Sequence, residues 1–247
     1  MTTNFKKTAD TPRPPASIIK LVTALVMRRW ISDPRLSDTV TVVAADMHPP
    51  TTAGLQAGDV ISWRDLAYGL LVPSGNDASL TVGRLVGEMI LASEGAPPGN
   101  GLSRFIAAMN SLLSGLAMEG AVAFSTHGVD TDSRLTARQA ARLMVEAMAD
   151  PFLLTVMGTL SHVVTITGVN ARTYSIVHTI NPDGDVKFPE FLCGKTGSYA
   201  SVAEYCLVMG WSKPDGGHGV VCVLRSPTTA DRFVDARKII DFEKAIA

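Results

Sequence analysis

Apolar and polar positions divide the chain into a helical front and a strand-rich tail. From Ile18 to Met27 apolar residues fall almost all round a helical period. That predicts a helix over 17–30 enclosed by the core instead of lying on its surface. Prolines at 12, 14 and 15 hold off helix until Ser17. Residues 39–43 alternate in the manner of a short strand. Ser62 with Asp65 three residues on marks a helix start, and that helix stops at the polar turn Pro73-Ser74-Gly75-Asn76. Asp77 is placed to cap the next helix, over 78–90. Ser103 caps an amphipathic helix to 116, and Thr136 with Gln139 forms a capping box before a helix to 148.

The tail changes period. Residues 163–167 form a short strand, and 190–195, 204–211 and 219–224 are β-rich runs separated by Gly and Pro turns, a pattern of antiparallel meander. Residues 231–247 form a last helix, and at the other end Asn4-Phe5-Lys6-Lys7 has the character of a frayed edge strand. The expected fold class is α/β (α+β): an antiparallel sheet formed by the chain ends, with flanking helices and an inserted all-helical subdomain. One domain covers 1–247, with 1–45 and 175–247 in one subdomain and 46–174, mostly helical, in the other.

Composition narrows the function. The 247 residues are enough for one large domain or two closely packed subdomains, 46% of them hydrophobic and 18% charged. A net charge of −1 leaves no basic footprint for nucleic acid or an anionic membrane, and 6% aromatic residues supply no base-stacking platform. Cys193, Cys206 and Cys222 lack the spacing of a disulfide framework or a zinc site and fit small buried thiols. No metal or cofactor is expected. The run from Ile18 is too short to span a bilayer and no cleavage site follows it. Either the chain works in the cytoplasm or an export signal lies outside this sequence.

Candidate chemistry sits at the ends of the apolar elements. Ser17 and Lys20 are three apart, so a helix stacks them on one face. A hydroxyl needs a neighbour to take its proton, and a lysine on a buried helix has its pKa pushed down far enough to do so. Two more polar clusters follow, Ser74-Gly75-Asn76 and Lys195-Thr196-Gly197. Each alone passes for an ordinary helix start, turn or strand end. In this order and at domain-scale spacing they form the S-x-x-K, S-x-N and K-T-G set of the penicillin-interacting serine enzymes.

The chain resembles the D-alanyl-D-alanine carboxypeptidases among the low-molecular-mass penicillin-binding proteins. The resemblance extends to Gly54-Leu55-Gln56-Ala57-Gly58-Asp59, to Phe124 with His127-Gly128-Val129-Asp130, and to Glu204-Tyr205-Cys206-Leu207-Val208, spanning about residues 10 to 243. It implies Ser17 as nucleophile, Lys20 as its base and Ser74 as a proton relay. It implies Asn76 as a substrate and Lys20 partner, Lys195 and Thr196 as the carboxylate site, and Gly197 as the place where substrate lies along the strand edge. Backbone N–H groups of Ser17 and Ser198 would form the oxyanion hole, and Arg232 a second carboxylate anchor, against the plainer reading of an exposed arginine at a helix start. His127 with Asp130 suggests a Ser/His/Asp triad; the resemblance makes His127 a loop residue instead. Expected partners are peptidoglycan D-Ala-D-Ala peptides and β-lactam inhibitors, with no membrane anchor in this chain, in an extracytoplasmic setting that the absent export signal opposes.

Three departures stand out. There is no Glu-x-x-Leu-Asn between Asn76 and Lys195, so fast penicillin turnover is not expected. Gln139 stands where the family usually has an aspartate. Only about 16 residues precede the serine helix, where the family usually has two strands. A β-lactamase or esterase-like relative, and a non-enzymatic binding or sensor protein of the same fold, are the alternatives.

Overall fold

The computed structural model describes residues 5–199 and 204–246. A 3-10 turn, Ala16–Ile19, leads directly into α1 (Lys20–Trp30). Then come β1 (Thr39–Thr41), β2 (Val60–Ser62), α2 (Trp63–Leu71), α3 (Asn76–Ser93) and α4 (Gly101–Gly115). They are followed by α5 (Ala137–Met148), α6 (Pro151–Gly158), β3 (Ser161–Thr167) and β4 (Arg172–Val177). The chain closes with β5 (Phe191–Tyr199), β6 (Glu204–Ser212), β7 (His218–Ser226) and α7 (Asp231–Ile246).

The described residues form two antiparallel sheets, β1-β2-β3-β4 and β5-β6-β7. The second is covered on both faces, which explains why β6 is apolar at successive positions. Cys206 and Val208 point into the large core shared with α1 to α6. Leu207, Met209 and Trp211 point the other way, against Ala236 and Ile240 of α7. The period of two along a strand sends neighbours to opposite faces.

The centre of the large core is the serine helix. Ile18, Ile19, Leu21, Val22 and Met27 are all fully buried, each stabilising the fold by roughly 1.5–3 kcal/mol. The expected enclosure of this helix is therefore observed, and it carries Lys20 into the interior with it.

The mixture of helices and antiparallel strands matches the expected fold class, with differences in detail. Residues 46–174 are not all helical: β2, β3 and the start of β4 lie there. These strands are short or contain isolated polar residues, so their pairing is set by neighbours more than by pattern. The second sheet draws its described strands from the C-terminal part alone. Phe5, Lys6 and Lys7 form no strand, and Asn4 lies outside the described residues. Among its described residues the lead-in's strand pairing is limited to an isolated bridge, Arg13 to Leu135. Asp77 is not a cap: α3 begins at Asn76 with Gly75 before it. Likewise α4 begins at Gly101, ahead of Ser103. The capping box of Thr136 and Gln139 and the Ser62 cap form as expected.

Candidate active site

Three chain segments converge on Lys20. Its Nζ lies 2.8 Å from Ser17 Oγ, 2.8 Å from Asn76 Oδ1 and 3.0 Å from the His127 carbonyl oxygen. Ser17 Oγ also reaches that carbonyl, at 3.2 Å. Lys20 is fully buried, and burial lowers its pKa to about 7, partly opposed by the charge of Asp77. An ammonium has three protons to give; a neutral amine has two and a lone pair. Asn76 Oδ1 and the carbonyl of His127 can only accept. In neutral Lys20 they take the two N–H bonds, and the lone pair faces the hydroxyl of Ser17.

Each partner is held by its own element. The 3-10 turn is reached through Ala16 at φ 48°, an unfavourable left-handed conformation for a residue with a side chain. Asn76 opens α3, its N–H donating to the Thr51 carbonyl at 2.8 Å. Ser74, at φ 68°, makes the turn before it. Thr23, nearly one turn beyond Lys20, donates to the Thr126 carbonyl at 2.6 Å and pins the His127 loop on α1. In that loop Gly128 is at φ 79°, and a Cβ there would sit 2.2 Å from the Ala16 carbonyl oxygen.

Asp77 anchors the opposite wall. Its fully buried carboxylate accepts from the N–H groups of Ala53, Leu55 and Ala78 at 2.8–3.2 Å. It thereby ties the 53–55 turn to α3. Burial raises its pKa and those N–H groups work against the rise.

Lys195 lies on β5, also fully buried. Its Nζ donates to Ser74 Oγ at 2.7 Å and to the Thr196 carbonyl at 2.8 Å. Burial first, then the charges of Lys20 and Arg232, hold its pKa well below the usual lysine range. Thr196 Oγ1 is 2.8 Å from Thr179 Oγ1. Gly197 matters on the Ser17 side: a Cβ there would meet the Pro15 carbonyl oxygen at 2.7 Å and Ser17 N at 3.2 Å. The strand can approach the serine turn only without a side chain.

Arg232 is not the exposed helix-start residue that its position suggests; it is buried in the first turn of α7. It donates to the Gly197 carbonyl at 3.0 Å and to Ser198 Oγ at 3.1 Å. Ser17, Lys20, Ser74, Asn76, Lys195 and Thr196 are thus joined in two hydrogen-bonded groups, with Arg232 behind Gly197 and Ser198.

His127 participates through its backbone. Its ring stacks on His48 with centroids 4.5 Å apart, and Nδ1 accepts from Val129 N at 3.0 Å. Asp130 binds Ser125 Oγ and the N–H of Ser133 rather than the ring. Burial, then His48 and Lys20, depress the pKa of His127 to about 4. Ser125 Oγ lies between Asp130 and His127 Nδ1, at 3.5 Å from the ring nitrogen, but Ser17 meets only the backbone carbonyl of His127, so the triad reading lacks its link to the serine. The His127 carbonyl, the support of Asp77 and the contact of Thr179 were not legible in the sequence, because backbone acceptors and tertiary contacts leave no residue-type signature. Among the described residues no group of three His, Cys, Asp or Glu could hold a metal ion.

This fold is that of the penicillin-binding and transpeptidase proteins. The crystal structure of the Streptomyces K15 DD-transpeptidase superposes with a TM-score of 0.88 at 27% identity, over 99% of this chain and 92% of that one. A D-alanyl-D-alanine carboxypeptidase of Mycobacterium tuberculosis shares the fold, with a TM-score of 0.76 at 23% identity over 95% and 83%. In sequence, a D-alanyl-D-alanine carboxypeptidase of Streptomyces sp. strain K15 is 30% identical over 99% of this chain and 84% of its own length. The family described as D-alanyl-D-alanine carboxypeptidase matches residues 5–224, and the chain belongs to it. Its members are serine peptidases that work through an acyl-enzyme, act on peptidoglycan D-Ala-D-Ala peptides and are sensitive to penicillin. They are generally proteins of the cell wall or periplasm. Among the described residues no helix is long and apolar enough to cross a membrane.

Proposed function

We propose that Ser17 is the nucleophile of a D-Ala-D-Ala carboxypeptidase and that Lys20 is its base. The observation that carries this is the three-way setting of Lys20, whose two fixed carbonyl acceptors leave its lone pair facing Ser17 Oγ. Ser17 Oγ attacks the carbonyl carbon of the penultimate D-alanine as its proton passes to Lys20. The developing oxyanion accepts from the backbone N–H groups of Ser17 and Ser198. The C–N bond then breaks, and the leaving amine takes a proton through Ser74, which Lys195 holds in place. The products of this half-reaction are free D-alanine and an ester on Ser17. Water attacks that ester, giving the shortened peptide and restoring the hydroxyl.

Recognition follows from charge and edge geometry. Lys195 and Thr196 receive the terminal carboxylate, Arg232 adds positive charge from behind Ser198, and Asn76 holds both Lys20 and the peptide backbone. Gly197 and Ser198 offer a strand edge to the extended substrate. The stem peptides of peptidoglycan supply this chemistry, so an extracytoplasmic site of action is part of the proposal.

Incubation with a fluorescent penicillin should leave a stable adduct that Ser17→Ala abolishes, and a peptide ending in D-Ala-D-Ala should release D-alanine. Folded protein with neither adduct nor release rejects the reading.

A further inference from the structure

One residue ties the two walls of the cleft together. Thr179 follows β4. Its backbone N–H donates to the Val72 carbonyl at 3.1 Å, two residues before Ser74. Its side-chain oxygen lies 2.8 Å from that of Thr196. The flanking residues are fixed: His178 is buried with Nδ1 accepting from Ile180 N at 2.9 Å. Ile180 fills the space where a side chain on Gly194 would stand, 2.4 Å from that Cβ position. Thr179 is therefore fixed both to Val72, at the end of the helix before Ser74, and to Thr196.

The direction of the bond between the two hydroxyls decides what Thr196 can do. A hydroxyl has one proton and two lone pairs, whereas a carboxylate only accepts. If Thr196 donates to Thr179, it has no proton left for a carboxylate. If Thr179 donates to Thr196, the Thr196 proton is free, and an oxygen that accepts one hydrogen bond donates a stronger one.

We propose that Thr179 is a positioning residue for recognition of the leaving residue's carboxylate: Thr196 Oγ1 donates to Thr179 Oγ1 in the free protein, and when the anion arrives the bond reverses, the Thr179 hydroxyl donating to Thr196 Oγ1 and the Thr196 proton turning toward the anion. The inference rests on the reading of Lys195 and Thr196 as the carboxylate site. It assigns to Thr179 a part in binding the anion and none in the proton transfers at Ser17.

The test compares acylation rates for benzylpenicillin, which carries a free carboxylate, and its methyl ester, which does not, followed by the mass of the protein. In Thr179→Val the side-chain volume is kept and the hydroxyl is lost. Acylation by the acid should slow roughly tenfold, the loss expected of one hydroxyl hydrogen bond, while acylation by the ester is unchanged. Thr179→Ser should retain the wild-type preference for the acid. In Thr196→Val the further change Thr179→Val should cost nothing more, since the two act as one unit. Equal slowing of acid and ester, or no slowing of the acid, overturns the proposal. Wild-type protein that neither compound acylates points to failure of the broader functional reading, and this inference falls with it.

Discussion

Lys20 and Lys195 are buried to the same extent and put to different uses. Lys20 faces acceptors it can satisfy as a neutral amine, and its pKa of about 7 places half of it in the basic form near neutrality. Lys195 faces Ser74 Oγ and the Thr196 carbonyl, with two neighbouring positive charges and no carboxylate. An arriving anion supplies the missing counter-charge and favours the protonated lysine. The sign for Lys20 follows from its proposed role: with the neutral form taking the proton, activity is lost as pH falls through the folded pKa. Acylation of Ser17 by penicillin should rise with pH to a plateau with a midpoint at about 7. A flat profile across neutrality would remove Lys20 as the base.

At the scale of elements, the site depends on how α3 begins. Asp77 sits inside the first helical turn and accepts backbone N–H groups from the 53–55 turn as well as from its own helix. It also supplies the charge that holds up the pKa of Lys20. Asp77→Asn should therefore do two things at once. Loss of buried acceptor capacity should destabilise the fold by about 1–3 kcal/mol, read as a lower denaturation midpoint. Loss of the charge should move the midpoint of the acylation pH profile to lower pH. A destabilised variant with an unmoved profile would reduce Asp77 to a structural support.

For the whole molecule, the proposed function requires the strand β5 to press against the turn that carries Ser17. Gly197 is the point of closest approach, with the Pro15 carbonyl where a side chain would begin. Gly197→Ala forces the sheet and the serine helix apart, at a cost of about 1–3 kcal/mol for an overpacked contact. Because α1 and the faces of β6 bury their apolar residues independently of this contact, the variant should keep its far-ultraviolet circular dichroism and lose acylation. Unfolding of Gly197→Ala would instead make this contact part of the scaffold. Full activity would show that the cleft has slack at that point.

Sequence alone determined the enclosure of the serine helix, because an apolar run unbroken round the helical period can be stable only inside a core. It also determined the three polar clusters, because the residue types carry the chemistry. The C-terminal meander was readable for a like reason: β-rich runs between glycine and proline turns have few other folds open to them. The short strands β2 and β4 were not readable, nor was the start of α3 at Asn76. β2 spans only three residues with no alternating flank, β4 has only Ile176 and Val177 as aliphatic positions, and either Gly75 or Asp77 could precede a helix. Tertiary structure alone decided that the carbonyl of His127 faces Lys20, that Arg232 is buried behind Ser198, and that Thr179 touches Thr196. Those are contacts between residues distant in the chain, made by backbone atoms or by side chains of common type, and only the packing of three elements around one lysine selects them.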